Sequence, residues 1–140
     1  LVILLMAPLA RSTLSAGWNT DPRLEVYQEI GHWLRTYTEP GATVGAVEVG
    51  IIGYYGERTM VDFAGLLQPE VSRQLARTST YGDSAAWAIR HYEPDYVLLH
   101  TPIFSGITKS EWFEGGYEPV RRFSGAQGLH VDLFAKRDDG

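Results

Sequence analysis

The pattern of apolar and polar residues between 21 and 137 predicts helices that alternate with strands. Apolar residues three or four apart predict a helix from Asp21 to about Thr38, with Asp21 as its N-cap and Pro22 in its first turn. Runs of β-branched and apolar residues predict buried strands at 43–49, 59–63 and 95–100. Further helices are predicted at 68–77 and at 84–92, the second capped by Asp83.

The last part of the chain has a different pattern. Residues 117–123 and 129–136 are strand-like, and the SGAQG between them is typical of a hairpin loop. Strands alternating with helices predict an α/β fold with helices on both faces of its sheet. We therefore expect one three-layer α/β/α sandwich domain over residues 21–137, with a mostly parallel central sheet and a C-terminal antiparallel β-hairpin.

The chain opens with ten residues that carry no charge, LVILLMAPLA. A membrane-spanning helix needs about 20 apolar residues, so this run is too short to span a bilayer alone. We interpret residues 1–10 as the tail of a transmembrane helix. A packed apolar segment and the remnant of a signal peptide are the alternatives. Residues 11–20 are small and polar, which predicts a linker.

Composition excludes several classes of function. The 44% of apolar residues and 21% of charged residues are those of a globular protein, and the net charge of −5 predicts no nucleic-acid partner. The chain has no cysteine, which excludes disulfides and a cysteine nucleophile. Gly50, Gly53 and Gly56 are spaced G-x-x-G-x-x-G, which is not the dinucleotide fingerprint. We predict no cofactor and no dedicated metal site.

Three polar residues fall at the carboxyl ends of the predicted strands, where open α/β sheets bind ligands: Glu48, Asp62 and His100. If the strands are neighbours, these side chains share one rim and could act as acid and base or hold a divalent metal weakly. The alternative is that both carboxylates cap the following turns by accepting backbone N–H bonds. Tyr54 and Tyr55 are further candidates for ligand contact. No nucleophile accompanies them, so no catalytic residue is assigned.

Residues 44–70, VGAVEVGIIGYYGERTMVDFAGLLQPE, resemble part of the soluble C-terminal domain of GT-C type membrane glycosyltransferases. These enzymes include relatives of protein mannosyltransferases and of arabinofuranosyltransferases. A strand, an acid-Gly-x-x-Gly-Tyr-Tyr turn, a strand ending Asp-x-x-Gly-Leu and a Pro-Glu helix start carry the resemblance. The matching residues are Glu48, Gly50, Gly53, Tyr54, Tyr55, Asp62, Gly65, Leu66, Pro69 and Glu70, with a later strand entry at Glu93, Pro94, Asp95, Tyr96 and Val97.

The resemblance implies an extracytoplasmic domain that follows the last transmembrane helix of a cell-membrane enzyme. That enzyme would use a polyprenyl-phosphate-linked sugar, and its catalytic acid would lie in the membrane part, so this chain alone would be inactive. The implied partners are the membrane-embedded part of the same polypeptide and a glycan or lipid-linked sugar. Two other hypotheses remain: a ligand- or partner-binding module of an unrelated membrane protein, and a stand-alone enzyme that uses Glu48, Asp62 and His100.

Overall fold

A computed structural model describes residues 21–78 and 80–138. The interpretations of residues 1–10 as a transmembrane tail and of 11–20 as a linker lie outside these described residues. The helices are α1 (Leu24–Tyr37), α2 (Val49–Gly56), α3 (Pro69–Thr78), α4 (Tyr81–Tyr92), α5 (Ser105–Thr108) and α6 (Glu111–Gly116). The strands are β1 (Thr43–Ala46), β2 (Thr59–Asp62), β3 (Tyr96–His100), β4 (Tyr117–Ser124) and β5 (His130–Lys136). None of the described helices is both long and apolar enough to cross a membrane.

The five strands form one sheet in the order β2-β1-β3-β5-β4. β1 pairs in parallel with β2 and with β3, whereas β5 pairs antiparallel with both β3 and β4. The predicted α/β fold is therefore confirmed. β4 and β5 pair antiparallel as expected, but the sheet is mixed and not mostly parallel, since two of its four described strand pairings are antiparallel. A 3₁₀ turn at Ala126–Gly128 closes the hairpin inside the predicted SGAQG loop.

Each face of the sheet carries its own apolar core. On one face, α1 and α2 pack on a cluster that includes Ile30, Ile52 and Leu133. On the other face, helices α3 to α6 pack on a cluster that includes Ile89 and Phe113. The central strands carry apolar side chains on both faces, so each face must be covered by helices. This is the physical basis of the three layers.

The caps explain where two helices begin. Asp21 accepts a hydrogen bond from the Arg23 backbone N–H at 2.9 Å, so it supplies the predicted cap chemistry, although the regular helix begins at Leu24. Asp83 was expected to cap α4, but the cap is Thr80, whose hydroxyl accepts from the Asp83 N–H at 3.2 Å. Asp83 instead lies in the first turn, where its negative charge interacts favourably with the positive end of the helix dipole.

The first predicted strand ends earlier than expected. Val47 and Glu48 turn the chain after β1, and Val49 already begins α2. The β-branched Val47 and Val49 made residues 47–49 resemble a continuing strand. Because the strand ends at Ala46, Glu48 lies in the loop beyond the sheet instead of within it.

Candidate functional site

The strand order places a crossover point between β1 and β3. From β1 the chain passes through α2 to β2 on one side, and then through α3 and α4 to β3 on the other side. In open α/β sheets the crevice at such a point, beyond the carboxyl ends of the strands, is the usual place for a ligand. Glu48 follows β1 and His100 ends β3, so both lie at this end of the sheet, next to the crossover point.

Helix α1 adds two side chains to the same place. Its first turn lies at this end of the sheet because the helix runs back toward the start of β1. Arg23 Nη1 lies 3.5 Å from Glu48 Oε1, and Tyr27 Oη lies 3.4 Å from His100 Nε2. The Tyr27 and His100 rings are tilted, with centroids 5.9 Å apart. We call Arg23, Tyr27, Glu48 and His100 the switch-point rim.

Asp21 fixes the position of the Arg23 guanidinium. Its carboxylate accepts from Arg23 Nη2 at 2.7 Å and from Nε at 3.0 Å. These hydrogen bonds lower the pKa of Asp21 to about 2 and raise the pKa of Arg23 above its ordinary value. Arg23 is thus held by two carboxylates, one before the helix and one beyond β1, at this end of the sheet.

Burial shifts the pKa of the two ring side chains at the rim in the direction that favours their neutral forms. It lowers the pKa of His100, although the negative charge of Glu48 opposes that shift. It also raises the pKa of Tyr27 to about 12, and Glu48 adds to that increase. At neutral pH the rim therefore combines a neutral imidazole and a neutral phenol with one cation and a carboxylate. Such a set both donates and accepts hydrogen bonds.

Asp62 does not belong to this rim. It is fully buried, and its two carboxylate oxygens accept from the backbone N–H groups of Ala64 at 2.8 Å and of Leu67 at 2.9 Å. Its own N–H donates to the Gln68 side chain at 2.8 Å. The expected surface shared by Asp62, Glu48 and His100 is therefore not formed. The capping alternative describes Asp62, whereas Glu48 makes no capping hydrogen bond to α2.

The two candidate tyrosines lie on the second half of α2. Tyr55 accepts a hydrogen bond from Gln28 Nε2 at 3.1 Å and its ring lies 5.0 Å from that of His32, so it belongs to the α1–α2 interface. Tyr54 is 77% exposed, and its ring meets Tyr55 edge-on. Six residues of helix between Glu48 and Tyr54 correspond to about 9 Å of rise, so neither ring is part of the rim as it stands.

A metal centre at the rim is not supported. Within 21–78 and 80–138, no group of three or more His, Asp or Glu residues could hold a metal ion. The hypothesis of a weak divalent site formed by Glu48, Asp62 and His100 is thus wrong, because Asp62 is enclosed by its own loop.

Arg23 and Tyr27 are the rim residues that sequence reasoning missed. Tyr27 counts as a core position of α1 by its spacing, and it is indeed buried, with 2% of the residue exposed. A topological signal was available: a helix that precedes the first parallel strand begins at the carboxyl end of the sheet. Since that end carries ligand sites in such folds, the first turn of α1 was a place to search.

A second concave region lies at the opposite, amino end of the sheet, with a volume of about 540 Å³. Three of its charged side chains, Asp95, Lys136 and Arg137, already have hydrogen-bond partners. Asp95 accepts from the Thr43 N–H at 2.7 Å and from the Thr43 hydroxyl at 2.8 Å, and Lys136 Nζ lies 2.8 Å from Glu93. These bonds join strand ends, so we assign this region a structural role.

The neighbouring Arg121 and Arg122 are also structural. Arg122 makes a bidentate ion pair with the buried Asp132, at 2.6 and 2.8 Å, and the Thr101 hydroxyl donates to the same carboxylate at 2.9 Å. These hydrogen bonds lower the pKa of Asp132. Arg121 pairs with Glu29 of α1 at 3.1 Å. Arg122 thus joins the two strands of the hairpin, and Arg121 attaches the hairpin to α1.

Comparison with known proteins gives a family but no function. The chain matches no curated protein and no solved structure. Residues 17–138 match a family described as a domain of unknown function, DUF8728. This match covers most of the chain, including every residue of the switch-point rim, and the chain therefore belongs to the DUF8728 family.

Proposed function

We propose that this chain is the extracytoplasmic C-terminal domain of a membrane glycosyltransferase that uses a polyprenyl-phosphate-linked sugar. Its role in that enzyme is accessory: it binds the acceptor or glycan at the switch-point rim and does not transfer sugar alone. The observation that carries this proposal is the rim itself, a polar cluster of a neutral imidazole, a neutral phenol, a guanidinium and a carboxylate at the sheet crossover.

The resemblance to GT-C type enzymes supports the proposal because its main segment includes one of the four rim residues. Residues 44–70 form β1, α2, β2 and the loop that leads into α3. Glu48, the acid of the matched motif, is itself a rim residue. The match thus concerns the part of the fold where a ligand is expected.

The chemistry of the rim suits hydroxyl-rich ligands. Sugar hydroxyls both donate and accept, as does the neutral His100, which the hydroxyl of the buried Tyr27 contacts at 3.4 Å. Arg23 and Glu48 add charge-assisted hydrogen bonds. Both carboxylates near the rim, Asp21 and Glu48, pair with the same guanidinium. Binding is therefore better supported than acid–base catalysis, which needs groups with separate proton roles.

A titration of the full chain in detergent micelles tests this function. Soluble mannose and arabinofuranose oligosaccharides are added while backbone amide resonances are followed by NMR. We expect at least one of the two sugars to shift the resonances of Arg23, Tyr27 and His100. Glu48→Gln removes a charge-assisted acceptor and should weaken binding about tenfold.

Glu57→Gln is the matched control, because Glu57 also pairs with an arginine on α1, Arg35, at 2.9 Å, but at the other end of α2. It should leave the affinity unchanged. Equal losses in both variants, or no shift with either sugar, would contradict the glycan role. The latter result would favour a binding module of an unrelated membrane protein.

A further inference from the structure

Four large apolar side chains are exposed at the end of the sheet that carries the rim. Leu66 is 86%, Ile103 76%, Leu67 61% and Tyr81 53% exposed. They lie on three segments: the β2–α3 loop, the first turn of α4 and the turn after β3. In a parallel sheet, the loop that follows one strand and the first turn of the helix that leads to the next strand both lie at the carboxyl end of the strands. We call these four residues the apolar edge.

The β2–α3 loop is held in one conformation. The buried Asp62 accepts from its N–H groups at both ends, as described above. Gly65 has a φ of +81°, and a Cβ there would lie 2.5 Å from the Ser72 nitrogen, so only glycine fits. The loop therefore presents Leu66 and Leu67 to the outside in a fixed position instead of burying them.

The other two members of the edge are tied to the same framework. The Ser84 hydroxyl, in the first turn of α4, donates to the Phe63 carbonyl at the start of the loop, at 3.2 Å. Ile103 lines a shallow depression together with Gly82 and Asp83, which follow Tyr81. Exposed apolar residues grouped on adjacent, ordered loops are typical of a contact surface.

The chain also enters the described structure at this end. Asp21 holds Arg23, which lies beside Glu48 beyond β1. Residues 11–20 therefore connect the uncharged run 1–10 to the same end of the sheet. Ten residues span at most about 35 Å, which limits the distance between that run and Asp21.

We propose that the apolar edge docks on the surface of a lipid bilayer, with the carboxyl ends of the strands facing the membrane. Leucine and isoleucine side chains that protrude from separate loops suit insertion between lipids, and a tyrosine suits the membrane interface. The net charge of −5 gives no attraction to anionic lipids, so the contact is apolar and independent of salt.

This inference rests on the proposed function for the presence of a membrane, and it sharpens that function. The rim and the apolar edge lie at the same end of the sheet. Docking therefore places Arg23, Tyr27, Glu48 and His100 close to the bilayer surface. That is where the sugar of a polyprenyl-phosphate donor, or a glycan growing on one, is found.

Site-directed labelling tests the docking, and the absence of native cysteine makes every label unique. Leu66→Cys and Ile103→Cys report on the apolar edge. Tyr37→Cys and Val120→Cys are the controls, since these side chains are 67% and 43% exposed but lie at the end of α1 and on the edge strand β4. Each full-length variant carries an environment-sensitive fluorophore and is reconstituted in phosphatidylcholine vesicles with and without brominated lipid.

We expect brominated lipid to quench the labels at 66 and 103 at least about twofold more than those at 37 and 120, because insertion brings a label within the acyl boundary. The difference should persist in 1 M salt, where electrostatic contacts are screened. Equal quenching at all four positions, or none at 66 and 103, would overturn the docking. Glycan binding without quenching rejects the docking alone, and quenching without glycan binding rejects the glycan role alone.

Discussion

Two carboxylates that follow neighbouring strands have opposite environments. Asp62 is fully buried and bonds to two backbone N–H groups, whereas the Glu48 side chain is 42% exposed and lies 3.5 Å from Arg23. A buried carboxylate that accepts two backbone hydrogen bonds from one loop fixes the path of that loop, because a buried acceptor needs its partners. An exposed carboxylate in a loose ion pair is available to a ligand.

This contrast predicts different costs for two similar substitutions. Asp62→Ala leaves two loop N–H groups without an acceptor and should lower the free energy of unfolding by about 2–4 kcal/mol. Glu48→Ala removes only an exposed ion pair and should change it by less than about 0.5 kcal/mol. Urea unfolding of the full chain, followed by far-UV circular dichroism, measures both. Similar costs for the two variants would mean that Asp62 does not hold the loop as described.

The helix pair α1–α2 depends on glycine for its close approach. A Cβ at Gly31 would lie 2.6 Å from the Tyr55 Cβ and 3.1 Å from the Gly56 nitrogen. Gly53 faces β2 in the same way, where a Cβ would meet Met60 at 2.8 Å. The glycines of the G-x-x-G-x-x-G run thus differ in role, since a Cβ at Gly50 meets nothing within 4 Å.

Gly31→Ala and Gly50→Ala separate packing from helix propensity. Gly31→Ala forces the helices apart and should lower the free energy of unfolding by about 1–3 kcal/mol, the usual cost of overpacking. Gly50→Ala should raise it by up to about 1 kcal/mol, because alanine is the better helix former and the site is open. Thermal unfolding of both variants measures the difference. A loss of stability in Gly50→Ala would show that this glycine has a role the open space does not reveal.

The long elements could be predicted from the sequence because their apolar patterns are regular. The α1 helix and the strand at Tyr96–His100 follow directly from spacing and β-branched runs. The helices Ser105–Thr108 and Glu111–Gly116 were not predicted, since four and six residues are too few to show a helical period. The start of α4 was misassigned because Asp83 and Thr80 are both good caps, and only the backbone shows which one is used.

The rim could be predicted only in part, because it depends on which strands are neighbours. Glu48 and His100 were found from their positions at strand ends. The exclusion of Asp62 depends on loop hydrogen bonds that no local pattern indicates. Arg23 and Tyr27 lie at the start of α1, which is next to Glu48 and His100 only because of the order of the strands in the sheet. A local residue pattern does not indicate that order.

At the scale of the whole molecule, β5 joins the parallel part of the sheet to β4, its partner in the C-terminal hairpin. It is hydrogen-bonded to β3 on one side and to β4 on the other. Leu133 is fully buried in the core on the α1–α2 face, and its neighbour Phe134 belongs to the core on the opposite face. The last strand of the chain therefore lies inside the sheet, and both cores are incomplete without it.

We expect the described fold to unfold as one unit, and Leu133→Ala tests this. Truncating a fully buried leucine should lower the free energy of unfolding by about 2–5 kcal/mol. Because β5 contributes to both cores, far-UV ellipticity and tryptophan fluorescence should shift together in urea, the mark of a cooperative transition. Val120→Ala on the adjacent edge strand, where the side chain is 43% exposed, is the control and should change stability by less than about 0.5 kcal/mol. Separate transitions for the two probes would mean that the two faces fold independently and that β5 does not couple them.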